Sequence, residues 1–266
     1  MTPPETDIVR GYSVADLVNI RVTGGGAAWQ LSLVQRGAVW DALKVRYLMD
    51  SLLAGYPIGS MLLCRVARGG NVLVSEGGLR TRREADESVL QLLDGQQRMN
   101  ALAQLFAREA PDAQRFLLRL DAVRDMEDVV RRSSALDRTL GYIAGTDTEP
   151  AVAERWRWVD LSRVHAASLA GLVPALSGLP TLSDDGALQL AQQVDPECTV
   201  EAWAAATPHE RSLAAQQVRR LVRAWCSPAI PVVELRLEGP TDVLQVFNRV
   251  NRTGTSVSND DMFFAA

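Results

Sequence analysis

The stretch Val89–Phe106, VLQLLDGQQRMNALAQLF, changes its periodicity halfway along. Val89 to Leu93 is an apolar run of strand length, and after Asp94-Gly95 the residues Met99, Leu102, Ala103 and Phe106 recur at helical spacing. A chain that turns a strand directly into a helix must combine sheet and helix in one core. The junction is unusually polar. Asp94, Gly95, Gln96, Gln97, Arg98 and Asn100 are interrupted only by Met99.

The flanking segments fit the same picture. Ser13 to Ile20 reads as a short helix with Ser13 as N-cap. In Asp41–Ala54 the residues Val45, Leu48, Met49, Leu52 and Leu53 form an apolar stripe, Asp41 precedes it as an N-cap, and Gly55 and Pro57 end it. Ser60–Ala67, Arg115–Leu120 and Ala229–Leu237 read as strands. Gly69-Gly70 turns the chain so that Asn71–Ser75 can pair back as a hairpin, and the polar residues 76–87 read as a loop. Helices are expected over 122–140, 209–225 and 241–250, and residues 1–12 as a loose tail. The region 122–228 carries loop signals (TDTEP, SGLPTLSDDG, VDPECT) between helical patterns and reads as a mostly helical insertion. Residues 13–121 form the core around the junction, and 229–266 return to it. Ser258 and Asp261 match a capping box just before Met262-Phe263-Phe264, so the sequence stops one turn into a new helix. A further domain is expected downstream.

Composition removes several function classes. The chain has 266 residues, 47% apolar and 23% charged, as soluble globular proteins do. No apolar run is long enough to span a bilayer, and the N-terminus lacks a signal-peptide apolar region, so a cytoplasmic protein with no membrane partner is expected. The net charge of −4 argues against non-specific coating of nucleic acid. Lys44 is the only lysine, and no P-loop or lysine-based nuclease centre exists. Cys64, Cys198 and Cys226 read as buried free thiols, and His165 and His209 are too isolated for a zinc site.

Three segments carry chemistry. In DGQQR, Asp94 as N-cap with Gln97 three residues later resembles an acidic capping box, which leaves Gln96 and Arg98 unexplained. The alternative is an anion site. A strand-to-helix junction exposes backbone N–H groups at the positive end of a helix dipole. There Gly95 would let a ligand approach, Arg98 grip phosphate, Gln96 and Gln97 orient base or water, and Asp94 hold Mg²⁺ or a water. In VFNRVNRTGTSVSNDD, a helix end explains Gly254 and Ser258, and Arg249, Asn251 and Arg252 remain as a basic, amide-bearing patch. In VQRGAVWD, Gln35 and Arg36 precede Trp40 ahead of a helix start, a pattern a plain surface loop also explains.

Taken together, QRGAVWDALKVRYLMDSLLAGYPIGSMLL, LLDGQQRMNALAQLF and VFNRVNRTGTSVSNDD resemble, in order and spacing, the N-terminal domain of GmrSD-type modification-dependent (type IV) restriction enzymes. The resemblance implies an α+β fold with a ParB/sulfiredoxin-like mixed-sheet core and a largely helical insertion. It implies nucleoside-triphosphate binding and hydrolysis at DGQQR, with Mg²⁺, and sensing of modified or foreign DNA in an anti-phage setting. An HNH-type nuclease, downstream or on a partner chain, would do the cutting. Carried over, Asp94, Gln97 and Arg98 would be catalytic. Gly95, Gln96, Gln97 and Arg98, with Gln35, Arg36, Arg249, Asn251 and Gly254, would bind the nucleotide. The family often places an aromatic residue between the early QR pair and the tryptophan. Gly37, Ala38 and Val39 stand there in this chain, so that contact would fall to Trp40. A rival from another class is a module that binds nucleotide or modified DNA without turnover. A nuclease acting alone ranks lowest. The base of the nucleotide is not legible in the sequence, and neither is the oligomeric state, for which a homodimer is one arrangement.

Overall fold

A computed structural model describes residues 5–23, 29–31, 40–66, 69, 71–76, 79–84, 89–107, 115–122, 140–143 and 152–236. Its architecture is mixed α+β. Strands β1 (Glu5–Tyr12), β2 (Gln30–Leu31), β3 (Met61–Val66), β6 (Val89–Asp94) and β10 (Ile230–Arg236) form one sheet in the order β1-β10-β3-β6-β2. The β10/β3 and β2/β6 pairs are parallel, and β1/β10 and β3/β6 are antiparallel. A separate hairpin pairs β4 (Asn71–Glu76) with β5 (Leu79–Glu84). A third, antiparallel sheet has β7 (Arg115–Arg119) between β8 (Leu140–Ile143) and β9 (Trp158–Asp160).

Helices cover these sheets for reasons visible residue by residue. Helix α1 (Val14–Thr23) starts at a reciprocal cap: Ser13 N–H donates to the Asp16 carboxylate at 2.9 Å, and Asp16 N–H donates to Ser13 Oγ at 3.1 Å. Helix α2 (Ala42–Ala54) is capped by Asp41, which accepts from Lys44 N–H at 2.9 Å. It buries Val45, Leu48, Met49 and Leu53 and ends at Gly55, whose φ of 75° is left-handed. Helix α3 (Gln96–Phe106) leaves β6 directly and buries Met99, Leu102 and Phe106. Beyond it come α4 (Val164–Leu169), α5 (Asp184–Val194), α6 (Val200–Ala204) and α7 (Pro208–Cys226). Helix α7 opens with Pro208 behind a full Thr207/Glu210 capping box. Side chains from Val14 to Val232 share one hydrophobic core, in which the Phe106 and Trp225 rings lie 5.1 Å apart and join α3 to α7.

Several expectations need correction. Residues 5–12 are a strand, not a loose tail. An edge strand needs only backbone pairing on one side, so β1 tolerates an exposed Val9 and Arg10 that no hydrophobic pattern marks. Gly11 is required there, because a Cβ would come within 2.3 Å of the Pro228 carbonyl oxygen. Residues 79–84 are a strand rather than loop, and β4 pairs with them instead of folding back on β3. The mostly helical region also supplies β8 and β9 to the sheet of β7. The helices expected over 122–140 and 241–250, and the one starting at Ser258, lie outside the described residues. No helix among the described residues is long and apolar enough to cross a membrane.

Candidate functional site

The DGQQR segment sits where β6 hands over to α3. Asp94 is the last residue of the strand, facing Leu62 of β3 across the ladder. Gly95 then turns the chain with φ 103°, a left-handed value that a side chain resists. A Cβ on Gly95 would also meet Met61 Cγ at 2.7 Å. Gly95 is therefore fixed by the turn and by packing on Met61, and its Cβ face is closed rather than open to a ligand.

The capping expectation for Asp94 and Gln97 is overturned. Gly95 is the cap residue of α3 and makes no side-chain cap bond. Asp94 belongs to the strand, and its carboxylate instead accepts from Arg98 Nη2 at 2.9 Å. Arg98 also donates through Nη1 to the Ile58 carbonyl at 3.3 Å. Among the described residues, two of the five guanidinium N–H donors are thus used. Arg98 is held from two sides and is 15% exposed, against 39% for Asp94. Gly59 leaves room for that guanidinium, since a Cβ there would stand 2.6 Å from Arg98 Nη1. Ile58 and Gly59 belong to the site, and sequence reasoning passed over them. The signal was present in GYPIGS, where Gly59 follows a helix already closed at Gly55.

Gln96 is the other distinctive member. Its Oε1 is buried with no hydrogen-bond partner among the described residues. An orphaned buried acceptor costs about 1–3 kcal/mol, so it marks a position where an incoming donor is rewarded. Asn100, one turn further along α3, accepts from Arg21 Nε at 3.4 Å and ties α3 to α1.

The other two predicted blocks, Gln35 with Arg36 and Arg249 with Asn251 and Gly254, lie outside the described residues. The strands before them can be placed. β2 runs parallel to β6 with Leu31 opposite Leu92, so it points toward the Asp94 end of the sheet. β10 ends at Arg236 opposite Arg65, at the other end of β3 from Met61. As for metals, no group of three or more His, Cys, Asp or Glu side chains that could hold an ion exists among the described residues. Asp94 belongs to no such group, and a site with so few protein ligands suits Mg²⁺ only when phosphates and waters supply the others. The cysteines are free thiols. Burial pushes Cys64 up to about 12 and Cys198 up to about 11, so neither is a nucleophile at neutral pH.

A mixed sheet in which β6, an inner strand, ends at an Asp–Arg pair and an amide-bearing helix start defines an α+β domain with a polar strand-to-helix site. The family follows from the comparison of sequences. Residues 14–157, more than half of the chain, match the model of the GmrSD restriction endonuclease N-terminal domain, and the chain belongs to that family. It is a component of a type IV restriction enzyme. The comparison with curated proteins returned no match. The matched span contains residues 94–98 and 35–36, and stops before 249–254.

Proposed function

We propose that this domain binds a nucleoside triphosphate at the β6–α3 junction, hydrolyses it, and uses the cycle to regulate DNA cleavage by a nuclease module. The observation that carries this reading is Gln96 Oε1 at the start of α3, buried and without a partner among the described residues, two positions before Arg98, on which described residues take two of five donors. A ribose or base donor satisfies the amide, and phosphate oxygens satisfy the guanidinium and backbone N–H groups at the helix start.

The Asp94–Arg98 pair gives the mechanism its order. Phosphate arriving at Arg98 competes with Asp94 for the guanidinium. Asp94, released, accepts a hydrogen bond from the attacking water, and would be the carboxylate that holds a Mg²⁺ ion, which would supply charge stabilisation to the phosphates. Gln97 helps position that water. Gln35, Arg36, Arg249, Asn251 and Gly254 supply the remaining nucleotide contacts. The DNA that is sensed is modified or foreign, the nuclease is of HNH type, and the enzyme works in the cytoplasm, where such DNA is met. The ParB-like character of the core is part of the same proposal.

The test is phosphate release by purified protein with Mg²⁺ and each of the four common nucleoside triphosphates, beside Asp94→Ala and Arg98→Ala. Hydrolysis that falls at least a hundredfold in both variants supports the reading. Tight binding without release in the wild type transfers it to a non-catalytic sensor. Absence of nucleotide binding by the wild type sinks both versions.

A further inference from the structure

A second feature lies beside the junction and is not part of it. A cleft of about 600 Å³ opens between the α2 end, the start of β10 and the last turns of α7. That size falls within the range of roughly 300–1,000 Å³ typical of small-molecule sites. Buried Val14, Leu53, Ala224 and Ile230 contribute apolar surface to it. Among the described residues, Arg220 and Arg223 are its only charged lining residues, and no carboxylate lines it.

These two arginines stand apart from their neighbours. Every other described arginine from Arg155 to Arg219 is ion-paired: Arg155 with Asp195, Arg157 with Asp121 and Glu210, Arg163 with Glu197, Arg211 with Asp185, and Arg219 with Asp184. Among the described residues, Arg223 has no side-chain partner, and Arg220 has only Gln217 Oε1 at 3.3 Å. Gln217 is 2% exposed, and its Nε2 is buried without an acceptor among the described residues. It lies one turn before Arg220 on the same face of α7. A chain with a net charge of −4 has carboxylates to spare, yet among the described residues this cleft presents two unneutralised guanidiniums, with the Gln217 amide behind Arg220 rather than in the lining. Such a donor set selects a multivalent oxyanion. Tyr56, 52% exposed, adds an aromatic face at the same cleft, suited to a planar ring.

We infer that the cleft formed by Tyr56, Arg220 and Arg223 is a second ligand site, separate from the β6–α3 junction, which binds a phosphate group carrying a nucleobase. The shared chemistry is that of a nucleotide, either free or within a single DNA strand. The cleft's wall and the junction are joined at one peptide, because Ile58 lines the cleft and its carbonyl accepts from Arg98. The inference does not depend on hydrolysis at the junction.

The experiment compares wild type, the double variant Arg220→Ala/Arg223→Ala, Tyr56→Leu and the control Arg10→Ala, with folding checked by thermal melts. Arg10 is an exposed arginine on β1, away from the cleft's lining. The probes are ATP and inorganic pyrophosphate by calorimetry, and a fluorescent 12-nucleotide single-stranded DNA by anisotropy. The double variant is expected to weaken at least one nucleotide probe tenfold or more. Tyr56→Leu weakens that same probe but not pyrophosphate, and Arg10→Ala changes nothing. A response confined to ATP assigns a free nucleotide. A response of the oligonucleotide, with its log–log salt slope reduced by about 1.4 for two lost phosphate contacts, assigns a DNA strand. Binding equal in wild type and the double variant for all probes overturns the site, and so does no binding of any probe by wild type.

Discussion

Of the places in this molecule that combine arginine with aspartate, two use the pair in opposite ways. Around β9, Asp195 is fully buried and accepts from Arg155 Nη2 at 2.7 Å, Asp160 N–H at 2.9 Å and Glu197 N–H at 3.2 Å. Asp160 in turn accepts from Arg115 Nε at 3.0 Å and from Ser162. The oxygens of both carboxylates are engaged by protein donors. At the β6–α3 junction, Asp94 is half-buried with Arg98 as its partner, and Gln96 Oε1 has none among the described residues. The first cluster is complete without a ligand and serves to lock β7, β9 and the loop after α5 together. The second is left with spare valence, as a binding site must be. Satisfaction of polar atoms, more than residue type, separates structure from site here.

The contrast is strongest in stability. Asp195→Ala leaves Arg155 and Arg163 facing an emptied pocket, and is expected to cost about 3–5 kcal/mol, read as the shift in urea unfolding. A loss under about 1 kcal/mol would break the comparison at once. Gly95→Ala comes next, at about 1–3 kcal/mol, because it forces a side chain into a left-handed backbone against Met61. Its nucleotide affinity should fall as well, since Asp94 and Arg98 are placed from either side of that turn.

Glu210 tests the exposed margin of the satisfied network. The Thr207 backbone N–H, then its hydroxyl, then Arg157 hold the Glu210 carboxyl down to about 2. A carboxylate lowered on folding contributes stability above its ordinary value near 4.5, and that contribution is lost as the pH falls through about 2. Glu210→Gln should therefore melt at a lower temperature than wild type at pH 7, and the two should converge near pH 2. Parallel melting curves from neutral to acid pH would show that Glu210 is not coupled to folding. The smallest effect on stability is expected for Gln96→Met, which keeps the volume and removes an orphaned acceptor. Its unfolding midpoint should be unchanged or higher by less than about 1 kcal/mol, while nucleotide binding drops. A destabilisation comparable to Asp195→Ala would place Gln96 in the structural class instead.

Much of the core around the junction was legible. Periodicity located β3, β6, α2, α3, α7 and β10, because each has an apolar run or stripe that acts locally, and α2 and α7 also have side-chain caps. Local signals could not reveal the pairing partner of a strand. β1 and β5 are polar, and only the backbone of a distant or neighbouring segment makes them strands. The same limit hid Asp195. It lies in VDPECT, whose proline and turn residues read as plain loop, and its importance comes from Arg155, 40 positions away. At the site, the identity of Asp94 and Arg98 was visible from sequence. Their mutual bond at i, i+4, and the role of Gly95 as the cap, needed the left-handed turn.

One feature of the sheet bears on how the chain comes to be folded. β10, residues 230–236, lies between β1 and β3, so the first strand has no neighbour until a segment more than 200 positions later arrives. Both β1 and β10 lie outside the span 14–157 that defines the family. Closing so long a loop is entropically costly before any contact repays it. During synthesis, β3 and β6 can pair early, but the edge of β3 stays open until β10 has left the ribosome. The helices between are thus a waiting interval as well as a covering layer, and an expression fragment cut at the family boundary would expose that edge to other chains.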